Sequence, residues 1–200
     1  AVFSGHKLYG PTAIGVLYGR AAVLDALPPH LFGGSAITTV TLEKAHFLPA
    51  PQRFEPGTPR IAEAIGLAEA VRFVTEIGME RIAATEHVLA ERLYAGLAVI
   101  PGIRVLGGST VPAGQRVALA SVVVEGVHAH DAGQVLDDQG IAVRVGHHCA
   151  QPLHRRLGAT ASLRLSAGVH TTAEEVDRAV AAVAGIRSYF GLDADVNSTG

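Results

Sequence analysis

Gly140-Ile141-Ala142-Val143-Arg144-Val145-Gly146-His147-His148-Cys149-Ala150-Gln151-Pro152 decides how the rest of this chain is read. A glycine able to stop a helix leads into a β-branched apolar run, which delivers two histidines and a cysteine. Cys149 is the only cysteine among 200 residues. Arg144 lies five residues before it and Arg164 fifteen after it. These residue types suit a nucleophile, because the thiolate is the reactive form and nearby cations favour it. His147 and His148 can favour or deliver that thiolate, and the planar fork of Arg164 suits a carboxylate. Two other readings compete. A lone cysteine is commonly a small buried hydrophobe, but the flanking histidines and Pro152 argue for a polar loop. His-His-Cys also suggests zinc, which takes about four ligands. Adjacent His147 and His148 diverge if extended, and His128, His130 and His154 complete no customary spacing, so no metal site is assigned.

Composition narrows the function classes. Hydrophobic residues make up 48% and charged residues 17%, enough to bury a core. A net charge of −2 lacks the basic excess of a nucleic-acid binder. No apolar run approaches the roughly 20 residues that span a bilayer, and there is no signal-peptide pattern at the start. A single cysteine makes no internal disulfide, which fits a reducing, cytoplasmic setting. The chain opens Ala1-Val2-Phe3-Ser4 without an initiator methionine. Val2 and Phe3 read as the end of a strand already under way, so the chain is expected to be part of a longer polypeptide.

Outward from the cysteine, the pattern is that of an α/β protein in two parts. Residues 1–19 read as strand, turn and strand around Gly10-Pro11, and 20–27 as a short helix stopped by Pro28-Pro29. Residues 30–60, with no helical period and four prolines between 49 and 59, read as an extended loop or hairpin. Helical spacing appears at 61–77 and again at 79–98, where Leu89, Leu93 and Leu97 form a core stripe rather than a zipper. Strands are expected at 103–106, 117–124, 141–145 and 163–166, and helices at 131–139 and from Thr172 to about Tyr189. Arg104, Arg116 and Arg187 read as salt-bridge partners. The division expected is 1–77 as the end of a large domain, 78–190 as a smaller domain with the cysteine, and 191–200 as a polar tail.

The lysines are the second informative feature. Lys+Arg total 16, yet lysine stands only at 7 and 44. Where a cation alone would serve, this chain uses arginine, so Lys7 suggests a need for a primary amine, such as bonding to a carbonyl. Ser4 offers a hydroxyl beside it, His6 an imidazole, and Gly5 a close backbone approach. Ser-x-x-Lys could also mark a serine nucleophile, but the companion motifs are not evident. A surface lysine in a turn is the plain alternative.

Three segments, in one order, carry a family resemblance. Phe3-Ser4-Gly5-His6-Lys7-Leu8-Tyr9-Gly10-Pro11-Thr12 resembles the cofactor-lysine segment of the NifS-like cysteine desulfurases, in the class V aminotransferase family. Arg53-Phe54-Glu55-Pro56-Gly57-Thr58-Pro59 resembles their phosphate-loop segment. The stretch from Gly140 to Leu153 resembles the cysteine segment of their group II, SUF-type branch.

The resemblance implies the C-terminal part of a PLP-dependent transferase of fold type I: the end of the large domain plus the small C-terminal α/β domain. It implies a homodimer that binds pyridoxal 5'-phosphate (PLP) and converts L-cysteine to L-alanine, with the sulfur held as a persulfide on Cys149 for iron–sulfur cluster assembly. Lys7 would hold PLP covalently. Ser4 and His6 would contact its phosphate, and Thr58 would reach the phosphate in the partner subunit. Arg164 and Arg144, with His148, would meet the substrate, and a scaffold or carrier protein would accept the sulfur. Selenocysteine lyase shares this chemistry and is the alternative activity; a non-catalytic fragment is another, because the family's N-terminal half supplies the rest of the PLP site. Three positions depart from the family pattern: Ala13 replaces a glycine, Val145 a threonine, and Leu165 an alanine.

Overall fold

A computed structural model describes residues 1–108 and 115–192. Their contacts divide at Gly78 into two units, Ala1–Gly78 and Met79–Gly200. At the division Gly78 caps a helix with a φ of 93°, a conformation open to glycine.

The first unit is built from short pieces. Strands β1 (Val2–Ser4) and β2 (Gly15–Leu17) pair antiparallel, with Ser4 opposite Gly15. Between them lies a 3-10 turn, Gly5–Lys7. Helix α1 is Ala21–Ala26. The proline-rich stretch contains a hairpin, β3 (Ile37–Val40) with β4 (Ala45–Phe47). The Arg53 guanidinium ties this stretch back to α1 by donating to the carbonyls of Leu48, Asp25 and Leu27. Helix α2, Ile61–Ile77, buries Leu67, Ala70 and Val74 on one side, a seven-residue span that returns to the same helical face.

The second unit is a four-stranded antiparallel sheet with helices over one face. Its strands are β5 (Ile103–Val105), β6 (Leu119–Val124), β7 (Arg144–Gly146) and β8 (Ser162–Ser166), in the order β5-β6-β8-β7. Helices α3 (Met79–Ala98), α4 (Ala129–Asp137) and α6 (Ala173–Tyr189) join Val122, Leu163 and Leu165 in one core. Leu89, Leu93 and Leu97 are buried there, as their spacing requires. Side chains alternate across a strand, so Ser162 and Arg164 of β8 point away from that core. Helix α5 (Gln151–Arg156) follows the cysteine loop.

Helix α6 starts with a capping box: the Thr172 hydroxyl accepts from the Glu175 backbone, and the Glu175 carboxylate accepts from Thr172 N–H. Helix α4 begins at Ala129 rather than 131 because His128 Nδ1 accepts from His130 N–H as an N-cap. It ends when Ile141 N–H donates to the Leu136 carbonyl at 2.9 Å. That bond takes Ile141 out of the ladder, and β7 begins only at Arg144. At Gly133, α4 comes so close to β7 that a Cβ would lie 2.6 Å from a Val145 methyl.

Two expectations are corrected here. Helix α5 falls where a loop was read: Pro152 occupies its first turn, where a missing N–H costs nothing. Among the described residues, two of the three arginines read as salt-bridge partners, Arg104 and Arg187, instead meet carbonyls. Arg104 donates to Leu157 and Gly158, Arg187 to Glu125 and Leu192, and Arg116 to Gly108 while lying 4.1 Å over the Tyr94 ring. Beyond Leu192 the polar tail lies outside the described residues.

Candidate active site

The chemistry-bearing residues fall into two groups, one in each unit. In the first unit, β1 ends at Ser4 and the chain turns at once. The Gly5 carbonyl accepts from Leu8 N–H and Gly10 N–H, and Gly5 N–H donates to Ile14, so both arms of the turn are fixed. Gly5 is required by packing: a Cβ would lie 2.9 Å from an Ile14 methyl. The turn therefore presents His6 and Lys7 outward, both exposed. The Ser4 hydroxyl is not used to cap the turn. Ser4 and His6 line an open hollow with Phe3, Ala13 and Gly15. Thr58 is exposed just after Gly57, and no hydrogen bond joins it to Ser4, His6 or Lys7.

Ala13 has a φ of 63°. A left-handed backbone costs an L-residue about 1–2 kcal/mol, which is why glycine suits the position.

In the second unit, β7 and β8 bring both arginines together. Arg144 stands directly opposite Arg164, and Gly146 opposite Ser162. Two like charges across a strand pair repel, and the Arg164 Nε is buried with no hydrogen-bond partner. A face with this arrangement favours an anion. Leu165, placed among the core side chains, is on the other face and does not wall the arginines.

After Gly146 the chain curls. His148 and Cys149 both adopt left-handed conformations, with φ of 51° and 62°, and Ala150 N–H donates to the His147 carbonyl at 2.8 Å. The curl leaves the Cys149 side chain exposed while His148 turns inward. His148 Nε2 lies 3.0 Å from the Ser162 hydroxyl, and His154 Nε2 lies 2.9 Å from the same oxygen. Burial, and then the neighbouring positive charge of Arg164, hold the His148 imidazole below its ordinary pKa. Among the described residues, no group of three His, Cys, Asp or Glu could hold a metal ion.

Ser162 and His154 were not among the expected site residues. Two signals point to them: the Gly146–Ser162 pairing, and the four-residue step from Ala150 to His154 once Pro152 is read as a helix start.

Comparison with known proteins gives the class. The family model "Aminotransferase class-V" matches residues 1–179. The chain is 51% identical over 193 residues to "Probable cysteine desulfurase 2" of Mycobacterium leprae, covering 96% of this chain and 46% of that protein. It is 46% identical over 189 residues to "Probable cysteine desulfurase" of Streptomyces coelicolor, covering 94% of this chain and 45% of that protein. Among solved structures, the cysteine desulfurase CsdA of Escherichia coli superposes with a TM-score of 0.85 at 37% identity, over 94% of this chain and 46% of that one. This chain belongs to the class-V aminotransferase family, and its α/β fold is that of the cysteine desulfurases. It spans about half the length of the relatives it matches.

The residues of the first unit fit PLP. Lys7 offers an exposed primary amine, Ser4 a hydroxyl left unused by its turn, and Ser4 and His6 both line the open hollow.

Proposed function

We propose that this chain contributes to a PLP-dependent cysteine desulfurase. The observation that carries the reading is the pair of facing arginines: Arg144 on β7, the strand that leads to an exposed cysteine, and Arg164 on the neighbouring β8, with an unpartnered buried Nε. PLP, when bound, supplies an electron sink that weakens the bond between the substrate's Cβ and sulfur.

The chain's own residues do the rest. Lys7 would hold the cofactor through its amine, and its free amine would take the proton from the substrate's Cα. Ser4 and His6 bind the phosphate, and Thr58 binds it in the partner subunit of a homodimer. Arg164, with Arg144 beside it, grips the substrate carboxylate through paired N–H donors. His148 faces the substrate beside the cysteine loop. The Cys149 thiolate attacks the substrate sulfur. An S–S bond forms as the Cβ–S bond breaks, and the electron pair stays with carbon. A proton then joins that carbon and alanine leaves. The persulfide on Cys149 passes to an acceptor or scaffold protein of iron–sulfur cluster assembly. The setting is cytoplasmic; no helix among the described residues is long and apolar enough to cross a membrane.

The test is alanine release from L-cysteine by the PLP-loaded protein. Cys149→Ala is expected to abolish release. Arg164→Lys, which keeps charge but loses the fork, should raise KM about tenfold or more, the worth of a charged hydrogen bond. Borohydride should fix the cofactor on the protein unless Lys7 is replaced by alanine. Full alanine release by Cys149→Ala would overturn the proposal.

A further inference from the structure

Helix α5 follows the exposed thiol almost at once, with only its N-cap Ala150 between them, and no apolar side chain of the helix is buried. It spans Gln151–Arg156, too short for a helix that persists in water by itself. His154 is buried, whereas Gln151, Pro152, Leu153, Arg155 and Arg156 are all exposed. Ala150 supplies no side-chain cap. The helix therefore depends on polar contacts at two places. Within it, His154 Nε2 lies 2.9 Å from the fully buried Ser162 hydroxyl of β8. Past its end, the Arg104 guanidinium donates to the Leu157 carbonyl at 3.0 Å and the Gly158 carbonyl at 3.2 Å.

Arg104 stands on β5, at the opposite edge of the sheet from β7. It pairs with Val123, which lies between the buried Val122 and Val124, so its side chain leaves the sheet on the face away from the core. Ser162 points to that same face. Helix α5 is thus a strap over the outer face of the sheet, held by Ser162 on the cysteine side and by Arg104 on the other.

The strap restrains a costly conformation. His148 and Cys149 have φ of 51° and 62°, and neither is glycine. Such a backbone persists only where its surroundings hold it. The His154 N–H donates to the Ala150 carbonyl at 3.0 Å, so the first turn of α5 fixes the residue next to Cys149. When the far end of so short a helix frays, that turn loosens and the curl relaxes toward an extended chain.

We infer that Arg104 is a positioning residue for Cys149: it fixes the end of α5, and α5 fixes the left-handed curl that presents the thiol. The anchoring stands on geometry alone; its use in sulfur transfer rests on the desulfurase reading above. Lys7 and Arg164 lie on other elements, so loss of Arg104 leaves cofactor and substrate binding in place and slows the step at sulfur.

The test compares Arg104→Ala with the unaltered full chain. The amides of Ala150 and His154 are expected to exchange with solvent about fivefold faster in the variant, the equilibrium worth of one hydrogen bond, while the amide of Val122 in β6 keeps its protection. In the PLP-loaded protein, kcat for alanine release should fall by about the same factor with KM for L-cysteine unchanged. Guanidinium ion at a non-denaturing concentration should restore both readouts where sodium chloride does not, and Arg104→Lys, which keeps a donor but not the fork, should fall between the two proteins. Unchanged exchange at Ala150 and His154 overturns the inference. So does an equal loss of protection at Val122, which marks a general role in stability, and so does an unchanged kcat or a rise in KM in its place. Failure of the desulfurase reading appears separately, as no alanine from the unaltered PLP-loaded protein while the exchange pattern is as stated.

Discussion

The two units of this chain bury apolar surface very differently. In Met79–Gly200, Leu97 and Val122 are fully buried and Leu163 is 1% exposed, within one core made by a sheet and three helices. In Ala1–Gly78, Leu42 is fully exposed, and Tyr18 and Phe32 are each 71% exposed. Its buried hydrophobic residues are Ala36, Leu67, Ala70 and Val74. The difference follows from topology. A four-stranded sheet covered by amphipathic helices closes a core by itself, whereas two separate hairpins have too little surface to bury. The second unit carries its own stability. The first holds local shape through turns and the Arg53 staple, and exposes apolar surface of a kind that needs cover in water.

The strongest way to break this comparison is to separate the units. Residues 79–192 alone should unfold in one cooperative thermal transition. Residues 1–78 alone should show no such transition and should bind a hydrophobic dye. Two cooperative transitions would contradict the contrast. Next in size is a matched truncation. Leu163→Ala should cost about 2–5 kcal/mol in denaturant unfolding, the usual range for a buried leucine. Leu42→Ala should change stability by less than about 0.5 kcal/mol, as at other exposed sites.

Helix starts give a smaller version of the same test. Thr172→Ala removes the capping box of α6 and should cost about 1 kcal/mol. Helix α2 follows Arg60 with no side-chain cap, so Arg60→Ala should fall within the small range typical of surface sites. The smallest effect is a pH dependence confined to the second unit. His148 has a lowered pKa when folded, so the unfolded chain binds its proton at a higher pH than the folded one. Stability should therefore fall as pH drops from the ordinary imidazole range through the folded value. His148→Gln should flatten that slope in unfolding curves measured across mildly acidic pH.

Much of this was legible in the sequence. The helical stripe Leu89, Leu93, Leu97 and the valine-rich β6 are set by local periodicity, and both appear as expected. The family and its α/β fold were legible in the motifs around Lys7, Arg53 and Cys149. Less legible were features that depend on pairing at a distance. The Ile141–Leu136 bond that shortens β7 closes a helix from beyond its end. Helix α5 is only six residues, too short for a periodic signal, and Pro152 reads equally as a loop residue or a helix start. The place of Ser162 between two imidazoles depends on the register of β7 against β8, which no single stretch reveals. Leu165, which replaces the family's alanine, follows Arg164 in sequence, but strand alternation sends it to the opposite face.

The tight approach at Gly133 has a consequence for how this gene would respond to random mutation. A side chain there would press on Val145, four residues before the cysteine, and shift the strand that carries the loop. Such a lesion would mimic an active-site defect without altering any reacting group. In a loss-of-function screen, position 133 is expected to appear beside Lys7 and Cys149. It would be distinguished from them by suppressors that trim Val145 to alanine and restore the spacing.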